Sequence, residues 1–541
     1  MTGEPRSPRG TYMVNKIISG AVEGVEGTAV VVEVDISPGL PGTEVVGLPD
    51  SAVKESRERV RAAIRNSGLR MPSHRVTVNL APASTKKAGA SFDLPIAVGI
   101  LCGTEEIAAE RAKNVFITGE LSLDGTIRPV GGILSMVINA YKNGVKRFIV
   151  PFENGGEASL VDGARVAAIK TLADLVRFFK TGILPDYAAT GLTAGDTELM
   201  ETEYDFSDVK GQAHVKRALE VAAAGAHNVL MTGPPGSGKT MLAKRVPSIL
   251  GDMTFDESIE VTKIYSVAGF MKTSNQRSGH GACAVSNQRS GHGAALITAR
   301  PFRSPHHTTS YSALVGGGKL IQPGEISLAH NGVLFLDEFP EFYKDVREAL
   351  RQPMEDGEVT VSRASGKVTF PSAFMLICAM NPCPCGYFGE GAKCTCSQRE
   401  VNGYQERLSG PLLDRIDIHI TVPRVDYDKL QSAQKTESSA DIRKRVMEAQ
   451  SLQRERYRDF NAKVNARLTE PMLERFCALD SAGAAMLETA YEKMGLSARA
   501  YHKIIKVART IADLDGGGAI TERHLGEALQ YRGIDRGTKY Y

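Results

Sequence analysis

Apolar and polar positions alternate along this chain in two rhythms, and the changes of rhythm mark its organisation. From residue 13 to about 186, short strand patterns interleave with helical ones. An apolar strand pattern begins directly behind Met13, and Ala29–Ile36 reads as a second strand with Pro38–Gly42 as its turn. Asp50 or Ser51 is placed to cap an amphipathic helix running to Arg65 and stopped by Asn66-Ser67-Gly68. Arg75–Leu80 alternates as a strand should. Phe116–Thr118 and Arg147–Val150 read as further strands, with helices at Gly132–Asn143 and Leu172–Phe179. This alternation predicts a self-contained α/β domain over 13–186, behind a disordered extension at 1–12 and before a small, polar linker at 187–204.

Between 205 and 424 the pattern changes to runs that are apolar at every position. Asn228–Thr232, Gly332–Leu336 and Phe374–Met380 each read as a strand buried on both faces, and helix His214–Ala224 precedes the first. Two hairpins interrupt the series. Gly316–Ile326 is one; the clearer one is Glu358–Arg363, a turn at Ala364-Ser365-Gly366, and Lys367–Phe370. A lone hairpin is marginal, so this one is expected to project from the sheet of the core. Past 425 the period becomes helical, at Asp441–Tyr457, Glu470–Leu479, Ala484–Lys493, Leu496–Ala512 and Thr521–Tyr531.

Composition changes this picture little. The 541 residues are 42% hydrophobic, enough for three or four domains with real cores. Lys and Arg number 65 against 62 Asp and Glu, so any binding of a polyanion must rest on local patches. Eight cysteines without a secretory signal imply reduced thiols, and no apolar run is long enough to span a membrane; a cytoplasmic location is expected.

The candidate chemistry starts at Gly233-Pro234-Pro235-Gly236-Ser237-Gly238-Lys239-Thr240, a phosphate-loop pattern between a strand and a helix. Its glycines let backbone N–H groups close on phosphate oxygens at a helix N-terminus. Lys239 is expected to reach the β- and γ-phosphates of ATP, and Thr240 to hold Mg²⁺. Asp337 and Glu338 end a buried strand, where Asp337 would hold the metal and Glu338 would polarise the attacking water. Cys383, Cys385, Cys394 and Cys396 could close a tetrahedral Zn²⁺ site, or remain free thiols, since the spacing is Cys-x-Cys rather than Cys-x-x-Cys. The adjacent His306 and His307 lack the spacing of a helical zinc pair. Ser274–Ala282 recurs letter for letter as Ser286–Ala294, which is most simply a duplication in a tolerant surface loop.

Two resemblances follow from quoted residues. Lys86-Lys-Ala-Gly-Ala-Ser91, followed by Gly119–Gly132, resembles the Lon proteolytic domain, of ribosomal S5 domain 2-like α/β fold. Ser91 falls at the nucleophile position, yet Gly131-Gly132-Ile133-Leu134-Ser135 lacks the family's lysine, so a dead protease fold used as scaffold is expected. The segment 205–424 resembles an AAA+ P-loop NTPase core with inserted β-hairpins, and 425–541 its C-terminal α-helical lid. In that resemblance Val209 and Gly211 lie near the adenine, Asn381 is sensor 1 and Arg499 is sensor 2. Ser409-Gly-Pro-Leu-Leu-Asp-Arg415 resembles the arginine-finger segment, with Arg407 as rival to Arg415.

From about 13 to Arg536 the order of motifs resembles the ComM/YifB family, which is magnesium-chelatase-like. The resemblance implies a homo-hexameric, ATP-driven DNA helicase that drives branch migration on single-stranded or branched DNA during natural transformation. Arg363, Lys367 and Lys319 on the hairpins would then contact phosphates without reading sequence. The alternative is a chelatase-type motor that remodels a protein partner.

Overall fold

The computed structural model describes residues 14–532 apart from 49, 84–86, 88, 186–203, 272–295, 319–320, 364–365, 426–435 and 461. The expected N-terminal extension, nearly all of the linker, the duplicated loop, Lys86 and Lys319 therefore lie outside the described residues.

The first α/β unit is a seven-stranded sheet. Strands β1 (Asn15–Glu23) and β2 (Glu26–Ser37) form a hairpin in which Val30, Val32 and Val34 point inward, as a period of two requires. They are followed by β3 (Gly42–Val46), helix α1 (Ser51–Asn66), β4 (Arg75–Ala81), α2 (Asp93–Gly103) and β5 (Val115–Ile117). Then come α3 (Ile133–Lys142), β6 (Arg147–Pro151), β7 (Arg165–Ile169) and α4 (Leu172–Thr181), giving the order β3-β4-β2-β1-β5-β6-β7. Asp50 does cap α1, accepting from the Val53 N–H at 2.8 Å. Helix α2 is absent from the sequence reading. Ten of its residues, from Asp93 to Cys102, are buried, so no polar face supplies the 3.6-residue rhythm that reveals a helix.

The second unit begins with α5 (Ala213–Gly225), β8 (Val229–Thr232), α6 (Lys239–Ile249) and α7 (Phe255–Val267). It continues with β9 (Phe302–Arg303), α8 (Tyr311–Val315), a short hairpin of β10 (Gly316–Gly317) and β11 (Gln322–Pro323), and β12 (Val333–Leu336). Strands β13 (Glu358–Arg363), β14 (Gly366–Pro371), β15 (Met375–Met380) and β16 (Ile418–Thr421) complete it. Five parallel strands run β9-β12-β15-β8-β16, with β8, which carries the phosphate loop, between β15 and β16. All side chains of β8, β12 and β15 are buried, which explains their unbroken apolar runs.

The β13–β14 hairpin is not an extension of that sheet but a separate two-stranded one. Its inner residues Val359, Val361 and Phe370 join the core beneath β12, together with Val25 from the β1–β2 turn. The C-terminal helices are α9 (Ser439–Arg456), α10 (Glu470–Phe476), α11 (Ser481–Met494), α12 (Ala498–Leu514) and α13 (Glu522–Gln530). Ile504, Val507, Ile511 and Leu525 share one continuous core with α5 and β8, so this helical region is packed on the second α/β unit rather than hung from it. The far end of the chain is tied in as well. Arg532 is fully buried and donates to the Ile416 carbonyl, and the His419 N–H donates to the Tyr531 carbonyl.

Candidate active site

The loop from Gly233 to Thr240 gets its shape from glycine. A β-carbon at Gly233 would lie 2.2 Å from the Val422 carbonyl oxygen, and Gly238 enters α6 at φ 89°, a left-handed conformation most side chains resist. Lys239 is buried, and its ammonium donates to the carbonyls of Gly233 (2.7 Å) and Pro234 (2.9 Å) and to Asn381 Oδ1 (3.3 Å). Burial lowers its pKa, against the opposing charges of Asp337 and Glu338. Lysine and Asn381, 142 residues apart, are brought together because β8 and β15 pair in parallel.

Across the site Thr240 donates its hydroxyl to Asp337 Oδ2 at 2.6 Å, while Asp337 Oδ1 accepts the Glu338 N–H at 2.9 Å. A hydroxyl and a carboxylate converging in this way form a hard oxygen donor set that fits Mg²⁺. Glu338 has φ 49°, a left-handed backbone that costs a non-glycine residue energy and tends to occur at functional sites. Its carboxylate lies 3.2 Å from His307 Nδ1.

Val209 is buried in the core beside Phe206, and Gly211 takes φ 68°. The next residue is Gln212. It joins the loop to the end of β16, because its Nε2 donates to Ser237 O (2.9 Å) and Pro423 O (3.0 Å).

The four cysteines cluster. Cys383 and Cys385 sulfurs are 3.3 Å apart, Cys383 and Cys394 3.9 Å, and Cys385 and Cys394 3.7 Å, and Cys396 lies in the same group. Sulfurs bonded to one zinc at about 2.3 Å stand about 3.8 Å apart in a tetrahedron, whereas disulfide sulfurs are about 2.05 Å apart. The four thiols can thus hold a metal. Backbone N–H groups of Tyr387 and Thr395 pull the Cys385 thiol down to about 6. This knuckle rests on the phosphate loop, since a β-carbon at Gly386 would lie 2.5 Å from Pro235 Cδ.

The three arginines go to acids. Arg407 pairs with Glu341 at 2.7 Å and lies over the Tyr404 ring. Arg415 pairs with Glu355 at 2.7 Å, and Arg499 reaches the same Glu355 oxygen at 3.8 Å. Arg363 and Lys367 flank the tip of the β13–β14 hairpin, both exposed. The Arg363 guanidinium also lies against Gly317 of the β10–β11 hairpin.

The Gly131-Gly132 segment, by contrast, carries no lysine to serve Ser91. There Leu134 and Ser135 are buried, and Ser135 donates to the Val25 carbonyl at 2.6 Å. The second α/β unit packs on this segment: Ser266 at the end of α7 accepts the Gly132 N–H at 2.9 Å and donates to Glu157.

Comparison with known proteins agrees with this architecture. Residues 205–282 and 281–430 match the family model described as magnesium chelatase, subunit ChlI. Residues 32–154 match subunit ChlI of Mg-chelatase, and residues 436–532 match the ChlI C-terminal model. The competence protein ComM of Haemophilus influenzae is 43% identical over 529 residues, covering 96% of this chain and 97% of that protein. YifB of Escherichia coli is 42% identical over 517 residues, covering 95% and 96%. Lon protease 2 of Bacillus subtilis is 30% identical over 128 residues, 23% of this chain and 22% of that protein. Among the described residues no helix is long and apolar enough to cross a membrane. Family kinship implies use of a nucleotide and Mg²⁺, and the chain belongs to the magnesium-chelatase-like AAA+ proteins of the ComM/YifB family.

Proposed function

We propose that the chain is an ATPase that works as a homo-hexameric DNA motor, moving single-stranded or branched DNA without regard to sequence. The observation that carries this reading is the pairing of the phosphate-loop site with one exposed hairpin tip whose cations are Arg363 and Lys367. Neither forms an ion pair among the described residues, so both are available to phosphates. A ring would multiply these cations around one pore and give a nearly neutral chain a cationic channel. The competence relative supports a role with incoming DNA during natural transformation.

In this account Lys239 exchanges the Gly233 and Pro234 carbonyls for phosphate oxygens. Thr240 and Asp337 would hold Mg²⁺, which when bound would neutralise phosphate charge. Glu338 takes the proton of the attacking water, and Asn381 orients that water. Arg415 completes the site of a neighbouring protomer, with Arg407 as the rival, and Arg499 reports nucleotide state through the helical region. The cysteine knuckle would hold Zn²⁺ and brace the phosphate loop through Gly386.

ATP-dependent strand displacement on forked and four-way DNA tests the reading. Wild type should separate strands and Glu338→Gln should bind ATP yet fail to do so; a wild-type protein inactive on every DNA would refute it. The family-model descriptions favour a second reading, a motor remodelling a protein partner. It predicts a stable protein client and no DNA affinity.

A further inference from the structure

A tight β-turn ordinarily carries polar or small residues at its two corners, because the corners face water. The turn between β1 and β2 does not. Glu23 pairs with Glu26, which leaves the two-residue connection Gly24-Val25. Gly24 takes φ 65°, as the first corner of a tight hairpin turn requires. Val25, at the second corner, is only 9% exposed. Its side chain belongs to the core that holds Val359, Val361 and Phe370 of the β13–β14 hairpin, in the second α/β unit.

Further contacts fix the turn there. A β-carbon at Gly24 would lie 3.0 Å from Val368 Cγ1 and 3.2 Å from the Thr369 carbonyl oxygen, so the turn backbone lies directly on β14. On the other side the Val25 carbonyl accepts the Ser135 hydroxyl, and a β-carbon at Gly27 would lie 2.2 Å from the Ser135 carbonyl oxygen. These two contacts bind the turn to α3 of its own unit. Lys263 of α7 lies 3.1 Å from Glu26, but Glu26 is 73% exposed, and such pairs contribute little. The apolar contact carries the joint.

The β13–β14 hairpin needs such a hold. Its strands form a sheet of two, and a pair of strands by itself is marginal in water. Lys367 adjoins Val368, and Arg363 stands two residues beyond Val361. The direction in which both cations leave the protein therefore follows from where these valines are held.

We propose that the Gly24-Val25 turn is the seat of the β13–β14 hairpin, through which the first α/β unit presents Arg363 and Lys367 to a polyanion. Val25 is then a positioning residue. This rests on reading the chain as a DNA motor. The test takes the full chain as wild type, Val25→Ala and Val25→Ile. It reads amide hydrogen exchange in β13 and β14, and the ATPase rate across a titration of single-stranded DNA. Loss of the two valine methyl groups should speed hairpin exchange about tenfold and raise the DNA concentration for half-maximal stimulation about five- to tenfold. Without DNA, kcat and KM for ATP should not change, and Val25→Ile should behave as wild type. Unchanged hairpin exchange in Val25→Ala would overturn the proposal. So would an unmoved DNA titration in a protein that responds to DNA, or a DNA-free kcat that falls as far as the stimulated one. If wild type ignores DNA, the DNA reading fails on its own; faster hairpin exchange in Val25→Ala would still uphold the seat.

Discussion

The phosphate-loop site and the Lon-like segment around Gly131-Gly132 are both built where loops meet the edges of α/β layers, yet their polar groups serve opposite ends. At the phosphate loop the buried ammonium of Lys239 faces Asn381 under the influence of Asp337 and Glu338, and Thr240 is aimed at Asp337. At Gly131-Gly132 the polar groups are used up internally. Ser135 bonds to Val25, and Glu157 accepts from Leu134 N–H at 2.9 Å and from Ser266 of the second α/β unit. One region keeps its charges exchangeable with a substrate, and the other has become a joint between domains.

The sharpest way to break this contrast is to alter one side at a time. Replacing Cys394 and Cys396 together by serine should remove one bound zinc per chain and weaken ATP binding by about tenfold or more, because the knuckle that carries Gly386 would no longer brace Pro235. Ser91→Ala should change neither metal content nor ATP turnover. Metal analysis and nucleotide titration read both, and unaltered ATP affinity in the metal-free variant would contradict the bracing role.

A smaller effect is expected at the joint. Burial outweighs the hydrogen bonds to Glu157 and raises its carboxyl from 4.5 to about 7. A carboxyl with a raised folded-state pKa stabilises most below the unfolded value, and that stability is lost as pH climbs through about 7. Glu157→Gln should therefore flatten the fall of Tm between pH 4.5 and about 7, leaving Tm about 2–4 °C higher than wild type at and above neutrality. Thermal unfolding from about pH 4 to about pH 8 checks it; an unchanged slope between 4.5 and about 7 would mean that Glu157 is not the titrating group.

How much of this was legible in the sequence follows from distance along the chain. The phosphate loop and Asp337-Glu338 are local patterns, each set by a strand and the turn after it, so their chemistry shows in consecutive letters. The cysteines also lie close in sequence, which made a metal site visible, though the contact of Gly386 with Pro235 was not. Long-range pairings left no local trace. His307 meets Glu338 only because β9 and β12 are neighbours, and Arg415 and Arg499 meet only at Glu355. Glu157 and Ser266 are 109 residues apart, in different domains. Helix α2 was hidden by its own burial, having no polar face.

The central claim, that hydrolysis at Glu338 answers to polyanion bound at the hairpins, is tested most directly by ATPase rates with and without single-stranded DNA in the Arg363→Ala/Lys367→Ala double variant. The account predicts strong stimulation in wild type and its loss in the variant, at an unchanged KM for ATP in the absence of DNA. Full stimulation in the variant would contradict it.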